Sequence, residues 1–166
     1  MDLKLTHLSE VDPADIVALH NDPRVIRHMP LAPGHFDATQ CAQWVTDKEQ
    51  QWAQNGYGPW AILIDGAFAG WGGLQLEAGD ADLALVLSPG YWGHGQAICR
   101  EIIRIAFDDM GLESVTALLP PSRVRTSGML RLGFEPDGEL QIADKRFLRY
   151  RLRAPNDSMQ SRHPTG

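Results

Sequence analysis

The sequence predicts an α/β fold: a mixed, mostly antiparallel sheet with helices on both faces. Three observations predict it. Short apolar runs with strand character recur along the chain, bounded by turn signals such as Asp65-Gly66. Helical patterns are interleaved with them, in the order β, α, α, α, β, β, β, α, β, α, β, β. A hairpin-rich first half is followed by one β-α-β unit, and such a crossover demands a parallel strand pair inside the sheet.

The elements follow in order. Lys4 to Leu8 is the first expected strand. Asp12-Pro13-Ala14-Asp15 reads as an N-cap, an N1 proline and an acidic first turn, opening a short helix to about His20. Asn21-Asp22-Pro23 repeats the signal for a second short helix through Arg27. Pro30, Pro33 and Gly34 mark a loop. Asp37-Ala-Thr-Gln40 is a capping-box pattern before a longer helix carrying Cys41, Trp44, Val45 and Trp52 on or near one face, and Asn55-Gly56 ends it. Trp60 to Ile64 and Ala67 to Leu76 form a hairpin. Gly70, Gly72 and Gly73 in its second arm mark a bulge or a close backbone approach. Glu77 to Asp80 is a further turn.

Residues 82–87 form the next strand; the continuous apolar run from Leu83 to Leu87 suits burial on both faces. A helix over roughly 94–110 follows and stops at Gly111. Val115 to Leu119 is a strand, a short helix ends at Gly133, Phe134 begins another strand, and Phe147 to Leu152 is the last. Residues 1–153 make one domain by length; the polar stretch 154–166, with Pro155, Pro164 and Gly166, is expected to be a disordered tail.

Charge is unevenly spread. Residues 1–120 hold 6 Lys and Arg against 16 Asp and Glu, whereas residues 121–153 hold 8 against 4. An acidic body disfavours nucleic acid as a partner and favours a cationic substrate; the basic stretch suits an anionic cofactor. No run is long enough for a membrane helix, and the N-terminus has no signal-peptide pattern. Cys41 and Cys99 read as buried small hydrophobes rather than a disulfide framework, which suits a reducing cytoplasm. The six histidines are scattered without ligand spacing, so no metal site is expected.

The chemistry concentrates in Asp82-Leu-Ala-Leu-Val-Leu-Ser-Pro-Gly-Tyr-Trp-Gly-His-Gly-Gln-Ala-Ile-Cys-Arg-Glu101. It reads as a strand, a glycine-punctuated turn and the start of a helix. Gly93 and Gly95 flank His94 and remove Cβ atoms that would hold a ligand off the backbone. Unpaired amides at the helix start, with the positive end of its dipole, suit phosphate oxygens. The stretch is not a P-loop, because Gly95 is followed by Gln96 and Ala97 rather than Lys and Ser/Thr. It is not a dinucleotide fingerprint either, because about half the chain precedes it.

Four separated segments, in order, resemble the GNAT N-acetyltransferase superfamily, in its RimJ/RimL-type branch. They are Asn21 to Arg27, Trp60 to Gly70 with Gly73-Leu74, Leu87 to Ala97, and Gly133-Phe134, and the resemblance covers about residues 3 to 152. It implies acetyl-CoA as co-substrate and acetyl transfer to an amine. It implies that strands 82–87 and 115–119 splay apart, with the pantetheine arm along Leu85, Val86 and Leu87. The pyrophosphate would sit on the turn Trp92, Gly93, His94, Gly95, Gln96 and Ala97, with Ser122 at a cofactor-contacting position. By residue type, Arg123 and Arg125 are both candidates to pair with the 3′-phosphate or pyrophosphate.

The departures are specific. Trp92 replaces a frequent Gln or Arg, and Ser122 a common Asn. Met129 stands where some relatives carry a Tyr acid, and Ala117 where some carry a Glu base. Asp82 is the first candidate for orienting or deprotonating the amine, with Asp80 behind it; Ser127 is the candidate donor to the leaving thiolate. Tyr57, Trp60 and Trp71 are candidate walls of the amine pocket. The expected partners are acetyl-CoA and an amine, in a cytoplasmic monomer or homodimer. A non-catalytic CoA or acyl-CoA binding module, or a transferase using another acyl-CoA, is the alternative.

Overall fold

The computed structural model describes residues 1–29, 36–121 and 127–155. Among them, seven strands form one sheet: β1 (Leu3–Thr6), β2 (Pro59–Ile64), β3 (Ala67–Glu77), β4 (Asp80–Leu87), β5 (Ser114–Leu119), β6 (Glu135–Ile142) and β7 (Lys145–Arg153). Their order across the sheet is β1-β2-β3-β4-β5-β7-β6. Every neighbouring pair is antiparallel except β4–β5, which is parallel.

Turn chemistry sets the registers. Asp65 and Gly66 both have positive φ (51° and 85°), the two-residue hairpin geometry that Asp-Gly favours. Ala78-Gly79 and Ala143-Asp144 adopt the same left-handed pair and close β3–β4 and β6–β7. The expected strand at Lys4 to Leu8 ends two residues early. Thr6 and the His7 N–H both bond the Glu10 carboxylate, and Leu8 opens a 3₁₀ turn that buries its side chain.

Helices cover both faces. On one side lie α1 (Pro13–His20), α2 (Pro23–Ile26) and α3 (Ala38–Asn55). Asp12 and Asp22 cap the first two through the N–H groups of Ala14 and Arg24, and Asp37 and Gln40 form the capping box of the third. Their core gathers Leu8, Ile16, Leu19, Val25, Phe36, Cys41, Ala61 and Trp71, with Ala84 and Val86 of β4 packed against it. The opposite face carries α4 (Gly95–Arg104) and α5 (Ser127–Arg131). There Ile98, Ile102 and Ala106 pack on Ile62, Leu74, Leu83, Leu87 and Val115. Helix α4 continues as a π turn over Ile105–Asp109 and stops at Gly111, whose φ is +70°. Ala154 still donates to the Glu113 carbonyl at 2.9 Å, so the chain is tied to the sheet there; the rest of the expected tail and the loop at 30–35 lie outside the described residues.

The glycines of β3 report a close approach and a bulge together. The β2–β3 register shifts between Ile62 and Leu63. A Cβ built on Gly70, where φ is +152°, would lie 2.1 Å from the Val86 carbonyl oxygen. Gly90, by contrast, has nothing within 4 Å of its Cβ position and no positive φ. Gly70→Ala is expected to lower unfolding free energy by at least about 2 kcal/mol in a denaturant titration, and Gly90→Ala to stay within about 0.5 kcal/mol of the parent.

Candidate active site

Strands β4 and β5 share one register pair, Asp82↔Thr116. Below it each strand is held by its outer neighbour, β4 by β3 and β5 by β7. The Ser88 N–H donates to the Ala69 carbonyl at 2.8 Å, toward β3. The Leu87 carbonyl, on the other side of that trans peptide, therefore faces the gap. By strand alternation the N–H and C=O of Leu85 face it too. Leu83 and Leu87 are buried, but residues 84–86 are only half-buried. Both faces of the strand are covered as expected, Leu83, Leu85 and Leu87 by the α4-side core and Ala84 and Val86 by the other, and what β5 leaves open is the edge.

A cavity of about 330 Å³ opens at this edge, lined by Val25, His28, Met29, Leu85, Val86, Leu87, Trp92 and Gly95. Five of the expected cofactor residues (Leu85, Val86, Leu87, Trp92 and Gly95) thus converge on one space. The Trp92 indole N–H donates to the Leu87 carbonyl at 2.9 Å, and its ring meets His28 edge to face at 5.7 Å. It remains 45 % exposed. Leu85 is therefore the residue whose carbonyl and N–H both face the gap without an indole upon them.

The turn has a form that the sequence did not suggest. Pro89–His94 is a 3₁₀ helix running directly into α4. That pattern pairs N–H groups with carbonyls three residues back, and the Gly95 N–H is taken by the Trp92 carbonyl. Gln96 and Ala97 are left as the first-turn N–H groups that the regular pattern does not pair. Gly95 has φ −56°, so its backbone needs no glycine; what glycine leaves there is space. A Cβ at Gly93 meets nothing within 4 Å, and one at Gly95 meets Leu85 Cδ2 at 3.9 Å. His94 keeps its ring near Tyr91, at 6.2 Å between centroids. The Gln96 side chain ties α4 to α5, donating to the Gly128 carbonyl at 2.9 Å and accepting from Arg100 at 3.2 Å.

Asp82 sits at the vertex of the wedge, 7 % exposed. The Thr116 hydroxyl donates to its Oδ1 at 2.8 Å. Burial pushes the Asp82 carboxyl up to about 7, the Thr116 bond pulls the other way, and the charges of Glu77 and Asp80 add to the rise. Asp80 is a different kind of group. Arg151 grips it through two bonds of 3.0 Å and also reaches Asp137 and Ser114, and this holds the Asp80 carboxyl below its ordinary range.

The expected aromatic walls lie elsewhere. Trp71 is buried among α1–α3, donating to His20 Nε2 at 3.0 Å, and Trp60 packs on Trp52 at 4.9 Å. Tyr57 packs against the α4-side core. Burial, with the Lys48 charge, pulls His20 down to about 4, so it is neutral at physiological pH and accepts the indole bond. Ser122, Arg123 and Arg125 lie outside the described residues, as does the side chain of Ser127, the first residue of α5. Val25, His28 and Met29 were missed as lining residues. Their one available signal was the Asp22-Pro23 helix start, which says where α2 begins but not which strand it faces. Burial raises the Cys99 thiol to about 11 and raises Cys41 as well, so neither suits a nucleophile. Among the described residues no cluster of His, Cys, Asp or Glu is arranged to hold a metal ion, and no helix is long and apolar enough to cross a membrane.

A family model described as an acetyltransferase (GNAT) domain matches residues 2–135. The chain belongs to the GNAT acetyltransferase family. Its members use acetyl-CoA as acetyl donor, and the open edge of β4 and the unobstructed turn fit such a ligand. Solved GNAT-like structures share the fold. An acetyltransferase from Agrobacterium tumefaciens superposes with a TM-score of 0.74 at 19% identity, covering 92% of this chain and 91% of that one. A GNAT-family acetyltransferase from Bacillus anthracis gives 0.72 at 14% identity, over 92% and 95%. The aminoglycoside acetyltransferase AAC(6')-Ib, solved with coenzyme A, gives 0.71 at 16% identity, over 96% and 99%.

The Asp82 carboxyl links stability to pH. Its proton is held in the native state up to about pH 7, but is lost from the unfolded chain near the ordinary aspartate value of 3.8. Between those two values the native state binds more protons than the unfolded state, so this group makes stability fall as pH rises, by at most about 1.4 kcal/mol per pH unit. Asp82→Asn removes the titration. Denaturant midpoints measured from pH 4 to pH 8 are expected to fall less steeply in the variant than in the parent.

Proposed function

We propose that the protein is an N-acetyltransferase of the RimJ/RimL type, moving an acetyl group from acetyl-CoA directly to a primary amine on a small molecule or a protein N-terminus. The observation that carries this reading is the wedge itself: an open strand edge at Leu85 to Leu87, with a buried carboxyl of near-neutral proton affinity at its vertex. The setting proposed is cytoplasmic, which two cysteines outside any disulfide framework suit, and the protein is taken to act as a monomer or homodimer.

Each residue has a role. The N–H and C=O of Leu85 and the N–H of Leu87 pair with the amides of the pantetheine arm, and Val86 packs beside it. The Gln96 and Ala97 N–H groups, at the positive end of α4, receive the diphosphate, while Gly93 and Gly95 leave room for it. Trp92 and His94 frame the turn; Ser122 and Arg125 are retained from the sequence as phosphate contacts. An amine reaches the site protonated, and its lone pair is free only after the proton leaves. Asp82 takes that proton, directly or through water, and Thr116 fixes the accepting carboxylate. The amine nitrogen then bonds the acetyl carbon as the carbon–sulfur bond breaks; the nitrogen loses its second proton and the thiolate gains one, with Ser127 as the candidate group that passes it on. Alignment of amine and thioester supplies much of the rate. Asp82 favours this reading over a non-catalytic CoA module, because Ala117 and Met129 carry no proton themselves.

Two measurements test it. Calorimetry should show Gly95→Glu weakening CoA binding by at least about two orders of magnitude, since the carboxylate is set against the diphosphate; unchanged affinity in a folded variant would refute the placement. On an amine that the parent acetylates with free-thiol release, Asp82→Asn should lower kcat by about 10²-fold and remove the limb of the pH profile near 7. Retention of both would exclude Asp82 as proton acceptor. Acetyl-, propionyl- and succinyl-CoA, compared in the same assay, read the donor preference.

A further inference from the structure

We infer that the acceptor amine is borne on an apolar or aromatic group, which seats on Val25 and Met29 of the α2 segment against the His28–Trp92 pair. This inference rests on acetyl-CoA occupying the β4 edge. The cavity has two walls of different character. One is the strand edge and Gly95, which the cofactor arm would cover. The other is formed by Val25, His28, Met29 and Trp92, on the side of the sheet to which Val86 points. A group transferred at the strand edge must meet its acceptor across the gap, so the second wall is what the acceptor touches.

Among the described residues that wall carries no carboxylate. The eight lining residues include none of the chain's aspartates or glutamates, although the first 120 residues hold 16 of them. The nearby Asp22 is engaged by Arg24 through two side-chain bonds, of 3.2 and 3.0 Å. An acceptor with several ammonium groups would bury, beyond the one that meets Asp82, positive charge that no described lining residue pairs. A single amine gives up its one charge when its proton passes to Asp82, whereas the further ammonium groups of a polyamine would stay charged. The sequence reading expects an acidic body to attract a cationic substrate; the charge is present in the chain but absent from this wall. The ring pair at 5.7 Å and 79° offers edges and faces of the kind on which aromatic groups stack. The cavity volume suits a ring-sized group beside the end of the cofactor arm.

The same chemistry is offered by a small aromatic amine and by a peptide whose first residue is aromatic, so the test includes both. Full-length protein saturated with CoA is titrated by calorimetry with 2-phenylethylamine, with spermidine, and with two tetrapeptide amides that differ only in beginning with Phe or Lys. Binding of 2-phenylethylamine or the Phe peptide, with spermidine and the Lys peptide weaker by about tenfold or more, is the expected result. Binding of the Phe peptide but not the small amine identifies a chain terminus as the source; the reverse identifies a free amine. Met29, partly exposed, supplies the control. Met29→Lys should weaken the aromatic ligand by about tenfold while leaving CoA binding unchanged, and Met29→Leu should stay within about twofold of the parent. Tighter binding of spermidine, no effect of Met29→Lys, or no binding of any aromatic ligand to the CoA-loaded protein would overturn the inference while leaving the acetyl-CoA reading intact. Failure to bind CoA at all would remove both.

Discussion

Strand β4 is zipped to β3 through eight register pairs, from Gly70↔Leu87 to Glu77↔Asp80, and β5 to β7 through six. Each is thus committed to an outside partner, and the two meet only at Asp82↔Thr116. A parallel pair that separates after one bridge leaves peptide groups facing a gap, where they need a partner. The rest of the site depends on this divergence. The half-buried side chains of residues 84–86, the cavity beside them and the position of the first turn of α4 all follow from where β5 leaves.

The same divergence explains why one carboxyl on the sheet is set apart from its neighbours. Asp80 lies within reach of Arg151, which also binds Asp137 and Ser114, so its charge is neutralised and its proton affinity is low. Asp82, one alternation further along the same face, has the Thr116 hydroxyl as its side-chain partner among the described residues and is buried at the point where the strands part. Two aspartates two residues apart therefore do opposite things: one serves a surface ion-pair network, and the other keeps its proton to near neutral pH. This matches the demand of amine acylation for a proton acceptor that is neither always charged nor always neutral.

Much of this was legible in the sequence because local chemistry dictated it. Asp65-Gly66, Asp12-Pro13, Asp22-Pro23 and the Asp37–Gln40 box announce turns and caps within a few residues, and each forms where the pattern lies. Gly70 announces a close contact, and the Val86 carbonyl supplies it. Features that depend on distant partners were not legible. Ala143-Asp144 turns through two left-handed residues without a glycine, because β6 and β7 impose the register. The 3₁₀ path of Pro89–His94 uses amides that a plain glycine turn would leave open. Trp60 and Trp71 look like pocket walls by residue type, yet their indoles are spent on Trp52 and His20. Val25 and Met29 do line the cavity; the Asn21 to Arg27 segment marks a helix there, but only the packing of α2 over the end of β4 shows which strand it faces.

On the proposed function, the edge of β4 at Leu85 is left open for the arm of acetyl-CoA. Amide hydrogen exchange resolved at Leu85, measured with and without CoA, tests it most directly. The Leu85 N–H is expected to be unprotected in the free protein and strongly protected on CoA binding, while the Val86 N–H, already paired to β3, changes little. Saturation with CoA that leaves Leu85 exchange unaltered would contradict the account.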